Sequence, residues 1–193
     1  MRVITGKARG AKLISLEGTD VIRPTADAVK ESMFSIVQFD VEDAVVLDLF
    51  AGSGQLGIEA LSRGAKKAYF VDSSRASIDV IKKNLEHTKL TDSAAVINMP
   101  NSAFLRTAKE KIDIAFLDPP YGKDLINRSL PALTEIMNPG SIIVCEHEAE
   151  CRLPQTVGKF RVSRTYKYGK IALTVYRDDT PDADGQDEET EIP

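Results

Sequence analysis

The stretch Asp48-Leu49-Phe50-Ala51-Gly52-Ser53-Gly54-Gln55-Leu56-Gly57 sits where a first strand turns into a first helix, and its reading decides the fold. Gly52 and Gly54 remove the Cβ at a tight strand-to-helix turn, so a ligand can approach the backbone closely there. Gly52, Gly54 and Gly57 also satisfy the dinucleotide fingerprint G-x-G-x-x-G. Asp72 follows Gly52 by 20 residues, at the end of the next strand, where ribose recognition requires a carboxylate. Phe50 in the turn and Ser73 beside Asp72 complete this group of candidate cofactor contacts. Asp48 points away from a dinucleotide: a carboxylate there would repel a pyrophosphate but would accept from an ammonium such as that of S-adenosylmethionine (AdoMet). The structural alternative is an Asp that caps the following turn.

Outward from this turn, short β-branched runs alternate with amphipathic stretches, the pattern of an α/β protein with a parallel sheet and crossover helices. Seven strands are expected: Val45 to Leu49, Lys67 to Val71, Ala94 to Asn98, Ile112 to Leu117, Ser141 to Glu146, and a closing hairpin of Phe160 to Tyr166 and Ile171 to Arg177 through Gly169. Ile78, Ile81 and Leu85 fall on one helical face; Leu130, Leu133 and Met137 repeat the spacing in a helix that Pro139-Gly140 should stop. Ahead of the core, Met1 to Ser15 suggests a small hairpin around Gly6 and Gly10, and Thr25 can cap a helix running to about Val37. The expected organisation is an appendage over 1–40, a catalytic core over 41–178, and an acidic tail over 179–193 that should be disordered.

The second signal is Asp118-Pro119-Pro120-Tyr121, at the end of the fourth strand. Two consecutive prolines remove two N–H donors at a site facing the ligand crevice and leave acceptors only. An exocyclic amine on a base is a poor nucleophile because its lone pair is delocalised into the ring. The Asp118 carboxylate and the Pro119 carbonyl can accept both its N–H bonds, which makes the nitrogen more pyramidal. Tyr121 can stack on a base removed from a duplex or loop. The bland alternative is a proline turn capped by Asp.

Composition excludes several classes. The chain has 193 residues and no apolar run of the roughly 20 residues that a membrane helix needs. Met1 to Leu16 carries Arg2, Lys7, Arg9 and Lys12 and has no signal-peptide core, so a cytoplasmic location is expected. Cys145 and Cys151 with His87 and His147 form no zinc spacing, and no metal is expected. Glu146-His147-Glu148 alternate in direction along a strand and cannot close on one ion. The net charge of -4 hides an asymmetry, since Asp178 to Pro193 holds eight acids and no base. Arg152 to Arg177 carries seven bases and no acid, and Met1 to Lys30 six bases against three acids. Basic segments are often only solvated faces, yet a nucleic acid partner would need such a surface.

Together these residues resemble the bacterial 16S rRNA (guanine-N2)-methyltransferase family. The resemblance runs from Arg2 to about Arg177 and includes Gly6, Arg9 and Gly10, then Arg23-Pro24-Thr25 followed by Asp27, Lys30, Glu31 and Phe34, with Tyr168-Gly169 in the last hairpin. It implies a Rossmann-like class I AdoMet methyltransferase fold, with a mostly parallel seven-stranded sheet, an antiparallel C-terminal hairpin and a small N-terminal appendage. It implies AdoMet as cofactor, Asp72 on the ribose, and Asp118, Pro119, Pro120 and Tyr121 around the target guanine. It implies 16S rRNA as partner, in a 30S subunit or assembly intermediate, reached through Arg2, Arg9, Lys12, Arg23 and Lys30, by a monomeric enzyme without metal. The chain departs from the family pattern at Asn101-Ser102, where an acidic residue usually lies near the adenine; Asn101 could offer its amide oxygen instead. Competing readings are methylation of adenine N6 in DNA or of a protein glutamine, an NAD-dependent oxidoreductase, and a non-catalytic rRNA-binding protein.

Overall fold

Strands apolar on both faces become the centre of the sheet because only a two-sided cover of helices can bury them. The computed structural model describes residues 1–16 and 24–178, without the side chains of 24–27. In chain order the elements are α1 (Pro24–Ile36), β1 (Val45–Asp48), α2 (Gln55–Ser62), β2 (Lys67–Asp72), α3 (Arg75–Thr88), β3 (Ala94–Asn98), α4 (Asn101–Thr107), β4 (Ile112–Leu117), α5 (Leu125–Thr134), β5 (Met137–Glu148), β6 (Thr156–Val157), β7 (Phe160–Tyr168) and β8 (Ile171–Asp178). The sheet order is β3-β2-β1-β4-β5-β8-β7-β6. Strands β1 to β5 pair in parallel, and β8 enters antiparallel between β5 and β7. The order reverses between β1 and β4, which opens the ligand crevice of such sheets at the carboxyl ends of those two strands.

Successive residues of each central strand feed opposite layers. Val46, Phe70, Phe116 and Val144 pack with Met33 and Phe34 of α1, Ile58 of α2, and Ile78, Ile81 and Leu85 of α3. Leu47, Val71, Ala115, Leu117 and Ile143 pack on the other face with Phe104 and Leu105 of α4 and Ile126, Leu130 and Leu133 of α5. Each fully buried side chain of this size contributes roughly 1.5–3 kcal/mol.

Four expectations change. The sheet has eight strands among the described residues, because Thr156 and Val157 add a two-residue edge to β7. Helix α5 ends at Thr134, so Met137 is not its last apolar position; it is buried as the first residue of β5, paired with Ile112. Strand pairing there overrides a helical spacing that continued by coincidence. The N-terminal hairpin reduces to one antiparallel bridge, Arg2 with Lys12, in an irregular loop. Helix α1 begins at Pro24, where a proline suits the first helical position, rather than after a Thr25 cap. Arg23 and the acidic tail 179–193 lie outside the described residues.

The loop 1–16 is held by groups that sequence patterning does not reveal. Val3 and Leu13 enter the same apolar layer as α1 to α3. The buried Glu59 carboxylate of α2 accepts from the backbone N–H of Ile4 (2.7 Å) and Thr5 (3.0 Å) and from Arg63 Nε (2.9 Å). A Cβ on Gly6, which has φ +85°, would lie 1.7 Å from the Ser62 carbonyl oxygen, so the loop approaches α2 as closely as glycine permits. Asn84 of α3 accepts from Ile14 N–H (2.8 Å) and donates to the carbonyls of Ile14 (3.0 Å) and Ser53 (2.9 Å), tying the loop to the glycine turn.

Candidate active site

The site forms at the carboxyl ends of β1, β2, β4 and β5. At the end of β1, Gly52 (φ 53°) and Gly54 (φ 81°) take the left-handed conformation, and Gly54 precedes the first turn of α2. Gly57 serves another purpose. A Cβ there would lie 2.3 Å from the Phe70 ring, so its absence lets α2 lie flat on β2.

Asp48 is 1% exposed, and its Oδ2 accepts from Gly57 N–H at 3.1 Å. One oxygen therefore braces the turn, and the other accepts from no described residue. Burial pushes its carboxyl up to about 7, opposed by the Gly57 bond and aided by the charge of Asp72. A cation beside it would restore the ionised form. Asp72 accepts from Gly52 N–H through Oδ2 (2.9 Å) and from Ser74 N–H through Oδ1 (2.8 Å), so the candidate ribose carboxylate also fastens the glycine turn. Each oxygen keeps a lone pair for a hydroxyl donor. Phe50 is half-buried against the layer of α4 and α5, and Ser73 is exposed. The glycines open the backbone and the acids supply acceptors for an ammonium and a ribose, so these residues fit AdoMet.

Asn101 is the first residue of α4, and its Nδ2 donates to Ser129 Oγ of α5 at 2.8 Å, which leaves its oxygen as the free acceptor; Ser102 is exposed. Asp118 follows β4 and is half-buried. Burial first, then the charges of Glu146 and Asp48, hold its carboxyl well above the usual carboxylate range. No described residue donates a hydrogen bond to it. Pro119 is buried, Pro120 is exposed, and Tyr121 is 44% exposed. The Tyr121 hydroxyl donates to Glu146 Oε1 at 3.0 Å, and burial together with that carboxylate raises the phenol above its ordinary range.

Glu146 is the residue that sequence reasoning missed. In the sequence it belongs to a metal-like triplet, whereas in the fold it stands beside Asp118. His147 of that triplet has both ring nitrogens occupied, Nδ1 with the Glu148 carbonyl and Nε2 with Thr174 Oγ1, each at 2.8 Å. No group of metal-ligating side chains occurs among the described residues.

Of the basic residues, Arg2, Arg9 and Lys12 are exposed on the loop. Lys30 is not available to a partner: it is 2% exposed, donates to the Arg2 carbonyl at 2.8 Å and lies 4.0 Å from Glu59. It is a buried strut between α1, α2 and the N-terminal loop.

The chain and its fold are matched by known proteins. The family model described as "Conserved hypothetical protein 95" matches residues 1–177. The Bacillus subtilis protein "Putative rRNA methyltransferase YlbH" is 40% identical over 182 residues, 92% of this chain and 98% of that one. "Ribosomal RNA small subunit methyltransferase D" of Escherichia coli is 34% identical over 179 residues, 92% of this chain and 89% of that one. The chain belongs to this methyltransferase family. A solved structure of Escherichia coli yhhF superposes with a TM-score of 0.83 at 34% identity, covering 92% of this chain and 97% of that one. More distant SAM-dependent methyltransferases, such as one from Streptococcus mutans at 15% identity and a TM-score of 0.66, share the Rossmann-like fold. The NAD-dependent reading of the glycine fingerprint is thereby set aside.

Proposed function

We propose that this protein transfers the methyl group of AdoMet to the exocyclic N2 amino group of a guanine in 16S rRNA of the small ribosomal subunit. The observation that carries the reading is the Asp118-Pro119 turn at the crevice, a half-buried carboxylate beside a proline carbonyl where two successive prolines supply no N–H donor, beside the glycine turn. The names of the relatives support rRNA as the substrate class.

AdoMet, when bound, supplies an electrophilic methyl on a sulfonium sulfur. Asp48 would hold the cofactor ammonium and Asp72 the ribose hydroxyls, and the Asn101 oxygen would accept from the adenine amine. Asp118 and the Pro119 carbonyl accept the two N–H bonds of the target amine and turn its lone pair toward the methyl. Positioning the amine would supply most of the rate, and no strong base is needed because the cationic nitrogen formed on attack is acidic enough to lose its proton to water. Tyr121 stacks on the base. Arg2, Arg9 and Lys12 of residues 1–40 hold phosphates beside the core of residues 41–178. The enzyme works as a monomer without metal, in the cytoplasm, on rRNA in a 30S particle or assembly intermediate.

The test is transfer of labelled methyl to 30S particles, naked 16S rRNA, duplex DNA and protein, comparing the natural enzyme with Asp118→Ala. The reading expects N2-methylguanine in rRNA, lost in the variant while AdoHcy binding persists. Label in DNA or protein alone would overturn the substrate, and no label anywhere would overturn the activity.

A further inference from the structure

We propose that Glu146 selects guanine over the other amine-bearing bases by accepting the ring N1–H next to the target amine. This deepens the function proposed above and rests on it. Strands β4 and β5 pair in parallel, and their last paired positions are Leu117 and Cys145. Both of these side chains enter the layer of α4 and α5, while Phe116 and Val144 enter the opposite one. Asp118 and Glu146, one residue further on, are therefore lateral neighbours on the same face as Phe116 and Val144, at a strand spacing of about 4.8 Å. The electrostatic effect of Glu146 on Asp118 reflects that proximity.

Glu146 is half-buried, and the Tyr121 hydroxyl fixes one of its oxygens. The other oxygen accepts from no described residue. Pro119, Pro120, Tyr121 and Glu146 line one cleft, so the ring able to stack on a base also sets the direction of the neighbouring carboxylate. Two close, half-buried carboxylates repel, and a ligand offering donors to both relieves the repulsion.

The Watson–Crick edges of the bases then decide. Asp118 and Pro119 read only an exocyclic amine, which adenine, cytosine and guanine all possess. Beside its amine, guanine carries N1–H, a donor. Adenine N1 and cytosine N3 are acceptors there and would face the Glu146 carboxylate lone pair to lone pair. A buried polar group left unpaired by the wrong substrate is the strongest source of discrimination open to such a site. Glu146 thus reads what the Asp-Pro-Pro-Tyr turn cannot.

The probe is 2-aminopurine, which keeps the N2 amine and replaces N1–H with an acceptor. It is ligated into the small-subunit rRNA at the guanine located by label mapping, and kcat/KM is measured against the guanine substrate. The natural enzyme should prefer guanine strongly. Glu146→Gln, whose amide can donate to N1 of 2-aminopurine, should lose guanine activity and shrink the preference by about tenfold or more. Tyr121→Phe, which keeps the ring but releases Glu146, should shrink the preference part of the way. Unchanged AdoHcy affinity in Glu146→Gln reports an intact fold. If guanine and 2-aminopurine activities fall in parallel, leaving the ratio as in the natural enzyme, Glu146 is only a structural support and the inference fails. If the natural enzyme methylates no rRNA guanine, the function proposed above fails instead.

Discussion

Replacing Asp48 by Asn should stabilise the ligand-free protein at neutral pH and weaken its hold on the cofactor. Asp48 is 1% exposed, and burial moves its carboxyl from 3.8 to about 7. The folded protein therefore retains the proton to about pH 7, whereas the unfolded chain releases it near 3.8. Stability from this group is full below pH 3.8, declines as pH rises toward 7, and is flat above. At about 1.4 kcal/mol per pH unit, the loss approaches about 4 kcal/mol, an upper bound because buried sites relax and admit water. Asn has nearly the same shape, keeps an oxygen for Gly57 N–H, and does not titrate. Urea unfolding of both proteins from pH 4 to pH 8.5, without ligand, should show the variant gaining on the natural protein by roughly 2–4 kcal/mol across the range. The comparison between the two cancels the titration of other groups. With saturating AdoHcy the gain should shrink or reverse, because the cofactor ammonium favours the ionised carboxylate, and AdoHcy affinity of the natural protein should rise with pH up to about 7. A stability difference that stays constant with pH would refute the assignment of a buried, proton-retaining Asp48.

Gly57→Ala places a methyl 2.3 Å from the Phe70 ring and should destabilise the fold by about 1–3 kcal/mol in chemical denaturation. Lys30→Met should lower stability, since it leaves the buried Glu59 with one cation fewer, but should leave rRNA affinity and its salt dependence unchanged. Arg9→Ala should show the opposite pattern in filter binding, with weaker affinity and a log–log salt slope reduced by about one.

Much of the candidate site is legible in the sequence because its chemistry is local. The glycine turn, Asp48, Asp72 and the Asp118 to Tyr121 turn each lie directly after an apolar run, and a strand end followed by Gly or Pro is a local signal. What was misread depended on contacts between distant segments. Lys30 looks like any surface base until Glu59, 29 residues away, and the Arg2 carbonyl enclose it. Met137 continues a helical spacing by coincidence and is claimed by Ile112. Glu146 sits in a metal-like triplet and gains its place only through β4 and β5 pairing.

The sequence by itself determined the α/β class, the strand that carries the glycine turn, and the acceptor turn whose two prolines lack N–H donors, because backbone geometry at Gly and Pro and the alternation of apolar runs follow from a few neighbouring residues. The tertiary structure alone decided which carboxylates lie close together, how strongly burial holds their protons, and which basic residues remain on the surface. Those properties depend on the distance between segments far apart in the chain and on how much water the packed sheet and helices exclude.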